Sequence, residues 1–229
     1  MLAPQKKRRL VALVEASMAA ELLPGFHWLG HASFRLEAQN LVIYLDPWQV
    51  KPGQPKADVI LLTHDHHDHC SPDDIARLAK PDTAIVGTEA CIAKLEKEPG
   101  QKRAVKPGDQ VTVKGVVIEA VPAYNVSKRF HPEAAANVGY VVALAGVRIY
   151  HAGDTDLIPE MGQINADIAL LPIGGTYTMN VEEAAAAVKR IRPRIVVPMH
   201  YGRIVGELDD AHRFAQLVEE AEVAILPEE

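Results

Sequence analysis

Val59-Ile60-Leu61-Leu62-Thr63-His64-Asp65-His66-His67-Asp68-His69 is the stretch that decides how this chain is read. Four apolar residues set a strand buried on both faces. The next seven residues carry four histidines and two aspartates, where a plain turn would use Gly, Asn, Pro or Ser. Neutral imidazole nitrogens beside hard carboxylate oxygens are the donor set that zinc and iron prefer. Alternation lets His64 and His66 point the same way, and Asp68 and His69 lie one turn further on. One loop thereby offers two ligands to each of two neighbouring metal ions, with His67 turned elsewhere.

Upstream of this strand, FHWLG (26–30), SFRLE (33–37) and LVIYLD (41–46) alternate with short polar breaks, as in an antiparallel meander. Downstream, Ser71-Pro72-Asp73-Asp74 opens a helix, AIVG (84–87) is a strand, and a second helix runs from Thr88 to near Pro99-Gly100. Strands around Pro107-Gly108 and Lys114-Gly115 lead to a hairpin, VGYVVAL (138–144) and VRIYHA (147–152), about Ala145-Gly146. Then follow the strand DIALLPI (167–173), the helix VEEAAAAVKRI (181–191), the strand RIVVPMH (194–200), the helix DDAHRFAQLVEEA (209–221) and a last strand VAIL (223–226). Both halves are β-rich with helices. They predict an α/β fold, a four-layer αββα sandwich of two stacked sheets, as one domain over 1–229 with a helical extension at 1–24.

Two metal ions need more ligands than one loop provides. Asp154, in Gly153-Asp154-Thr155, follows the strand at 147–150, where a carboxylate can bridge both ions. His200, in Pro198-Met199-His200-Tyr201-Gly202, follows the strand at 194–197, and His131, in Arg129-Phe130-His131-Pro132, is a further candidate. A lone strand-end Asp or His is usually structural; gathered around the histidine cluster, these three gain weight.

The bulk numbers exclude some functions. A net charge of -6 argues against a broad nucleic-acid footprint. No stretch reaches the ~20 apolar residues that a membrane span needs. Lys6-Lys7-Arg8-Arg9 before an apolar run loosely imitates a signal peptide, but Glu15 interrupts that run after five residues, so an amphipathic helix is expected. Two cysteines, Cys70 and Cys91, build no disulfide framework and suit a reducing cytoplasm. The expected partner is a small-molecule substrate, and the oligomeric state, a homo-oligomer included, is left open.

With THDHHDH at 63–69, GDT at 153–155 and MHYG at 199–202, the chain resembles the metallo-β-lactamase-fold hydrolases. WLGHASF at 28–34 and LDPW at 45–48 resemble the branch of the ascorbate-phosphate lactonase-like proteins and the phospholipase D-type N-acylethanolamine-releasing enzymes. The resemblance implies that His64 and His66 hold one ion, that Asp68, His69 and His200 hold the second, and that Asp154 bridges. It also implies one more histidine for the first ion, at the end of a middle strand. Here that strand (117–121) runs into Pro122-Ala123-Tyr124-Asn125 without one. His131 is the favoured replacement; Asn125 or water are the alternatives.

The expected chemistry is hydrolysis by a metal-activated water, with two Zn2+ ions (Mn2+ or Fe2+ in their place) about 3.5–4 Å apart and Asp68 both ligating and orienting the water. The substrate expected is a small anionic ester, a lactone or a phosphodiester. Nuclease activity, di-iron redox chemistry and a metal-binding protein with a depleted site are the competing functions. A Glu where His66 stands would favour iron.

Among accessory residues, Asp46 either fixes a ligand histidine's tautomer or only forms a turn before Pro47. His31 is either near the site or a buried strand histidine. His151 reads as packed in its strand, Cys70 as a small buried thiol, and His27 and His212 as ordinary surface or half-buried residues; the Gly174–Met179 loop reads as a strand-to-helix turn, with substrate contact as the alternative. Lys128 and Arg129 read as solvated charges, and Tyr201 as a less favoured oxyanion donor.

Overall fold

The computed structural model describes residues 25–229, so the expected N-terminal helix lies outside the described residues. In the first sheet, β1 (Phe26–Gly30), β2 (Ser33–Ala38) and β3 (Leu41–Leu45) form an antiparallel meander. The strand β4 (Val59–Leu62) then runs parallel to β3, followed in parallel by β5 (Ala84–Gly87) and β6 (Gln101–Ala104). Parallel neighbours need a crossover. Between β4 and β5 it is α1 (Pro72–Leu78), where the Ser71 side chain accepts from the Asp74 amide. A short helix, α2 (Glu89–Lys94), joins β5 to β6.

The second sheet repeats this plan. Its strands β7 (Gln110–Val113), β8 (Val116–Pro122), β9 (Val138–Leu144) and β10 (Val147–His151) are antiparallel; β11 (Ile168–Pro172), β12 (Ile195–Met199) and β13 (Glu222–Val223) continue in parallel. The crossovers are a 3-10 helix (Pro159–Gln163) between β10 and β11, α3 (Val181–Ile191) and α4 (Leu208–Leu217). Ala145 and Gly146, at φ 51° and 81°, turn the β9–β10 hairpin in the geometry that matches strand twist.

Alternation along the strands assembles the layers. Ile43, Leu45, Val59 and Leu61 face inward and join Val138, Tyr140, Val142, Ile149 and Leu170 of the other sheet in one buried cluster. Tyr44, Ile60 and Leu62, one residue out of phase, pack outward with Ile75 and Leu78 of α1 in a second cluster. On the far side, Ala184, Val188 and Ile191 of α3 bury one helical stripe against the second sheet. The result is the four-layer αββα sandwich expected from the sequence.

Three element ends differ from expectation. The helix α2 stops at Lys94, and the chain tightens into i→i+3 bonds, Leu95 to Ile92 and Glu98 to Leu95, before Pro99, which disfavours helical geometry at Glu98. The helix α4 ends at Leu217, before Glu219 and Glu220, whose carboxylates would meet the negative end of its dipole. Only Glu222 and Val223 pair with β12; the tail then crosses to the first sheet, where Glu229 N–H donates to Trp28 O.

Candidate metal centre

Asp154 follows β10 and is only 3% exposed, yet it stands among four histidines. Its Oδ2 lies 3.1 Å from His200 Nε2, 3.5 Å from His131 Nε2 and 3.9 Å from His64 Nε2, and its Oδ1 lies 3.3 Å from His69 Nε2. These approaches are not hydrogen bonds in alignment. Among the described residues, His64 Nε2, His69 Nε2, His200 Nε2 and Asp154 Oδ1 are buried without a hydrogen-bond partner. Each orphaned buried group costs about 1–3 kcal/mol. Lone pairs that converge in this way fit a bound cation, which removes that cost.

The donor atoms fall into groups lying within 4.8 Å of one another: His64, His66 and His131; His31, Asp68, His69 and His200; and His64, His69 and Asp154 between them. All seven residues singled out as ligands in the sequence meet here. His131 reaches the group from the loop after β8, its Nε2 3.2 Å from His66 Nδ1.

Partners behind these histidines set which nitrogen faces the centre. Asp46, at the end of β3, accepts from His69 Nδ1 at 2.7 Å and from Thr63 Oγ1 at 2.6 Å. With its proton given to Asp46, Thr63 Oγ1 accepts from His64 Nδ1 at 2.9 Å. One carboxylate thus fixes two histidines with Nε2 inward, one directly and one through a hydroxyl. Asn125 does the same for His131: its Oδ1 is 3.2 Å from His131 Nδ1 and 3.0 Å from the His131 amide. Its Nδ2 donates to Asp156 Oδ1 and Tyr177 O. Asn125 thus stands behind His131 with its Oδ1 against the ring and its Nδ2 committed elsewhere.

The backbone here is strained. His31, Asp46 and His200 adopt φ of 53°, 44° and 60°, a region that costs non-glycine residues about 1–3 kcal/mol each. The close approach of Gly174 explains part of the loop after β11, because a Cβ there would lie 2.3 Å from His200 O.

Burial holds His64 well below the ordinary histidine value, and likewise lowers His131 and brings His31 to about 4. These rings are neutral near pH 7, the state that donates a lone pair to a metal. Burial also opposes charge on His69, but Asp154 and Asp46 on either side outweigh it and raise His69 well above the usual value. Burial likewise opposes charge on Asp154, and the neighbouring His200 and His69 hold its carboxyl far down.

Other residues have structural work. The His67 side chain is 79% exposed. Lys128 is bound to buried Asp156 and lies near Glu183, so it is not a solvated loop charge; Arg129 lies over the Phe130 ring. His151 is satisfied on both nitrogens, Nε2 to Ala32 O and Nδ1 from Gly153 N–H. Tyr201 stacks on Trp28, and Cys70 is buried in the outer cluster. Asn180 caps α3, leaving the 174–179 loop a strand-to-helix turn. Thr63, the hydroxyl heading the histidine run, carries a role that the ligand pattern alone does not mark, and His31 proves to lie in a turn at the centre rather than in a strand.

Similarity to known proteins identifies the family. The family described as "Beta-lactamase superfamily domain" matches residues 25–200. A UPF0173 metal-dependent hydrolase of Thermoplasma acidophilum is 38% identical, covering 83% of this chain and 88% of the relative. A solved structure from Parabacteroides distasonis superposes with a TM-score of 0.75 at 37% identity, covering 88% of this chain and 93% of that one. A novel metallo hydrolase from the archaeon Ignicoccus hospitalis gives 0.71 at 27% identity, covering 89% and 94%. No helix among the described residues is long and apolar enough to cross a membrane. The chain belongs to the beta-lactamase superfamily, among its metal-dependent hydrolases.

Proposed function

We propose that this hydrolase acts on a small ester, a lactone or a phosphodiester, with two zinc ions. His64, His66 and His131 would hold one ion, Asp68, His69 and His200 the other, and Asp154 would stand between them. The observation that carries this reading is the convergence of orphaned, buried Nε2 atoms on the two carboxyl oxygens of Asp154. When bound, such a pair lowers the pKa of water towards neutrality and polarises the oxygen of the scissile bond. The protein's own part is positional. Asp46 and Asn125 aim the imidazoles. Asp68 turns Oδ2 inward to His31 at 3.2 Å and Oδ1 towards exposed His67 at 3.6 Å, so it can orient the attacking water from the open side. Lys128 is committed to Asp156, so preference for an anionic substrate would come from the ions rather than from this lysine.

The test uses full-length protein stripped with a chelator and reloaded with Zn2+, Mn2+ or Fe2+. It is assayed on lactones, phosphodiesters, thioesters and a short oligonucleotide. Hydrolysis of a lactone or phosphodiester by the loaded form alone is expected. Full loading without turnover of any ester class, or turnover of the oligonucleotide only, overturns the reading.

A further inference from the structure

His31 is absent from the seven residues above, although it is fully buried at the same centre. It sits in the tight turn between β1 and β2, at φ 53°, and two donors pin its carbonyl there: Trp28 Nε1 at 3.0 Å and the His200 amide at 2.9 Å. Its ring centroid is 3.8 Å from that of His200 and 5.6 Å from that of His69. One of its nitrogens shares a 4.8 Å cluster with the donor atoms of Asp68, His69 and His200.

A histidine kept for packing has both nitrogens satisfied, as His151 has. His31 does not: Nδ1 has no partner, and the one partner of Nε2 among the described residues is Asp68 of the same centre. A histidine that merely steadies a ligand carboxylate binds the oxygen turned away from the ion. His31 Nε2 instead meets Asp68 Oδ2, the oxygen that also faces His69 Nε2 at 4.0 Å, whereas Oδ1 points to His67. The His31 nitrogen and the Asp68 oxygen address one point.

We propose that His31 is itself a ligand, so that the second ion is held by His31, Asp68, His69 and His200 with Asp154 shared. This rests on the two-ion reading above. It makes the two positions unequal, with three histidines at the first and a fuller set at the second.

His31→Asn and His31→Gly test it, because both residues tolerate positive φ and keep the turn. Zn2+ affinity is measured by competition with a chelator, and Co2+-loaded protein is followed by its visible absorption; thermal melting of the metal-free variants checks folding. The second ion should weaken by more than about 100-fold, beyond the 10–100-fold loss that follows removal of a group behind a ligand. The Co2+ bands of that ion should change with it. Wild-type affinity, or a loss under about 100-fold with an unchanged Co2+ spectrum, overturns the proposal. Should wild-type protein saturate at one ion, the two-ion reading fails. The variants then still decide whether His31 holds that ion.

Discussion

Around His64, His66 and His131 the centre is open: His66 is exposed, and His131 is delivered by a loop that Asn125 braces. Around Asp68, His69 and His200 every donor is buried, and the backbone carries left-handed strain at His31, Asp46 and His200. The two halves share only Asp154 and the Asp46 carboxylate behind them. On the proposed two-ion reading, the half braced by folded strand ends is preorganised and should bind its ion more tightly, and the half containing exposed His66 would leave room for substrate.

The largest effects are expected where the two halves meet. Asp154→Ala removes the group between the halves. The second ion should be lost, and hydrolysis should fall by about 10³-fold, the scale of losing a key electrostatic group. Metal counting and steady-state kinetics read this, and two ions with full activity would refute the assignment. Asp46→Ala unseats His69 and, through Thr63, His64. Metal affinity should drop about 10–100-fold in both halves, and denaturant unfolding should show about 2–4 kcal/mol lost, because buried donors are left unpaired. Loss confined to one half would show that the Thr63 link does not transmit.

Asn125→Ala touches the open half alone. The first ion should weaken about 10-fold while the second keeps its affinity; equal weakening of both, seen by titration, would dissolve the distinction. The smallest effect is on metal-free stability against pH. His31, His64, His131 and His151 are held below their unfolded value of 6.5, so unfolding takes up protons below that pH. His69, raised, contributes stability already complete below 6.5 and lost only as pH climbs through its folded value. Melting temperature should therefore fall as pH drops from 6.5 towards 4. A flat profile would mean that the histidines are not buried as neutral rings.

The layers were legible because alternation is local: Ile43 and Leu45 face one way and Tyr44 the other, and the neighbouring strand repeats the pattern. Helix ends were less so, since Glu219 and Glu220 continue the residue pattern of α4 but oppose its dipole. At the centre, the THDHHDH run, Asp154 and His200 stand out at strand ends. His131 lies six residues beyond Asn125, so only folding shows its ring braced by that side chain. His31 was marked only as a residue near the site or a buried strand histidine, because nothing in Gly30-His31-Ala32 announces a left-handed turn that brings its ring to the centre.

The most direct measurement is a Zn2+ titration of the metal-free protein, with bound ions counted per chain by native mass spectrometry. Two ions should bind, the buried half filling first and the open half more weakly. Saturation at a single ion would contradict the paired centre.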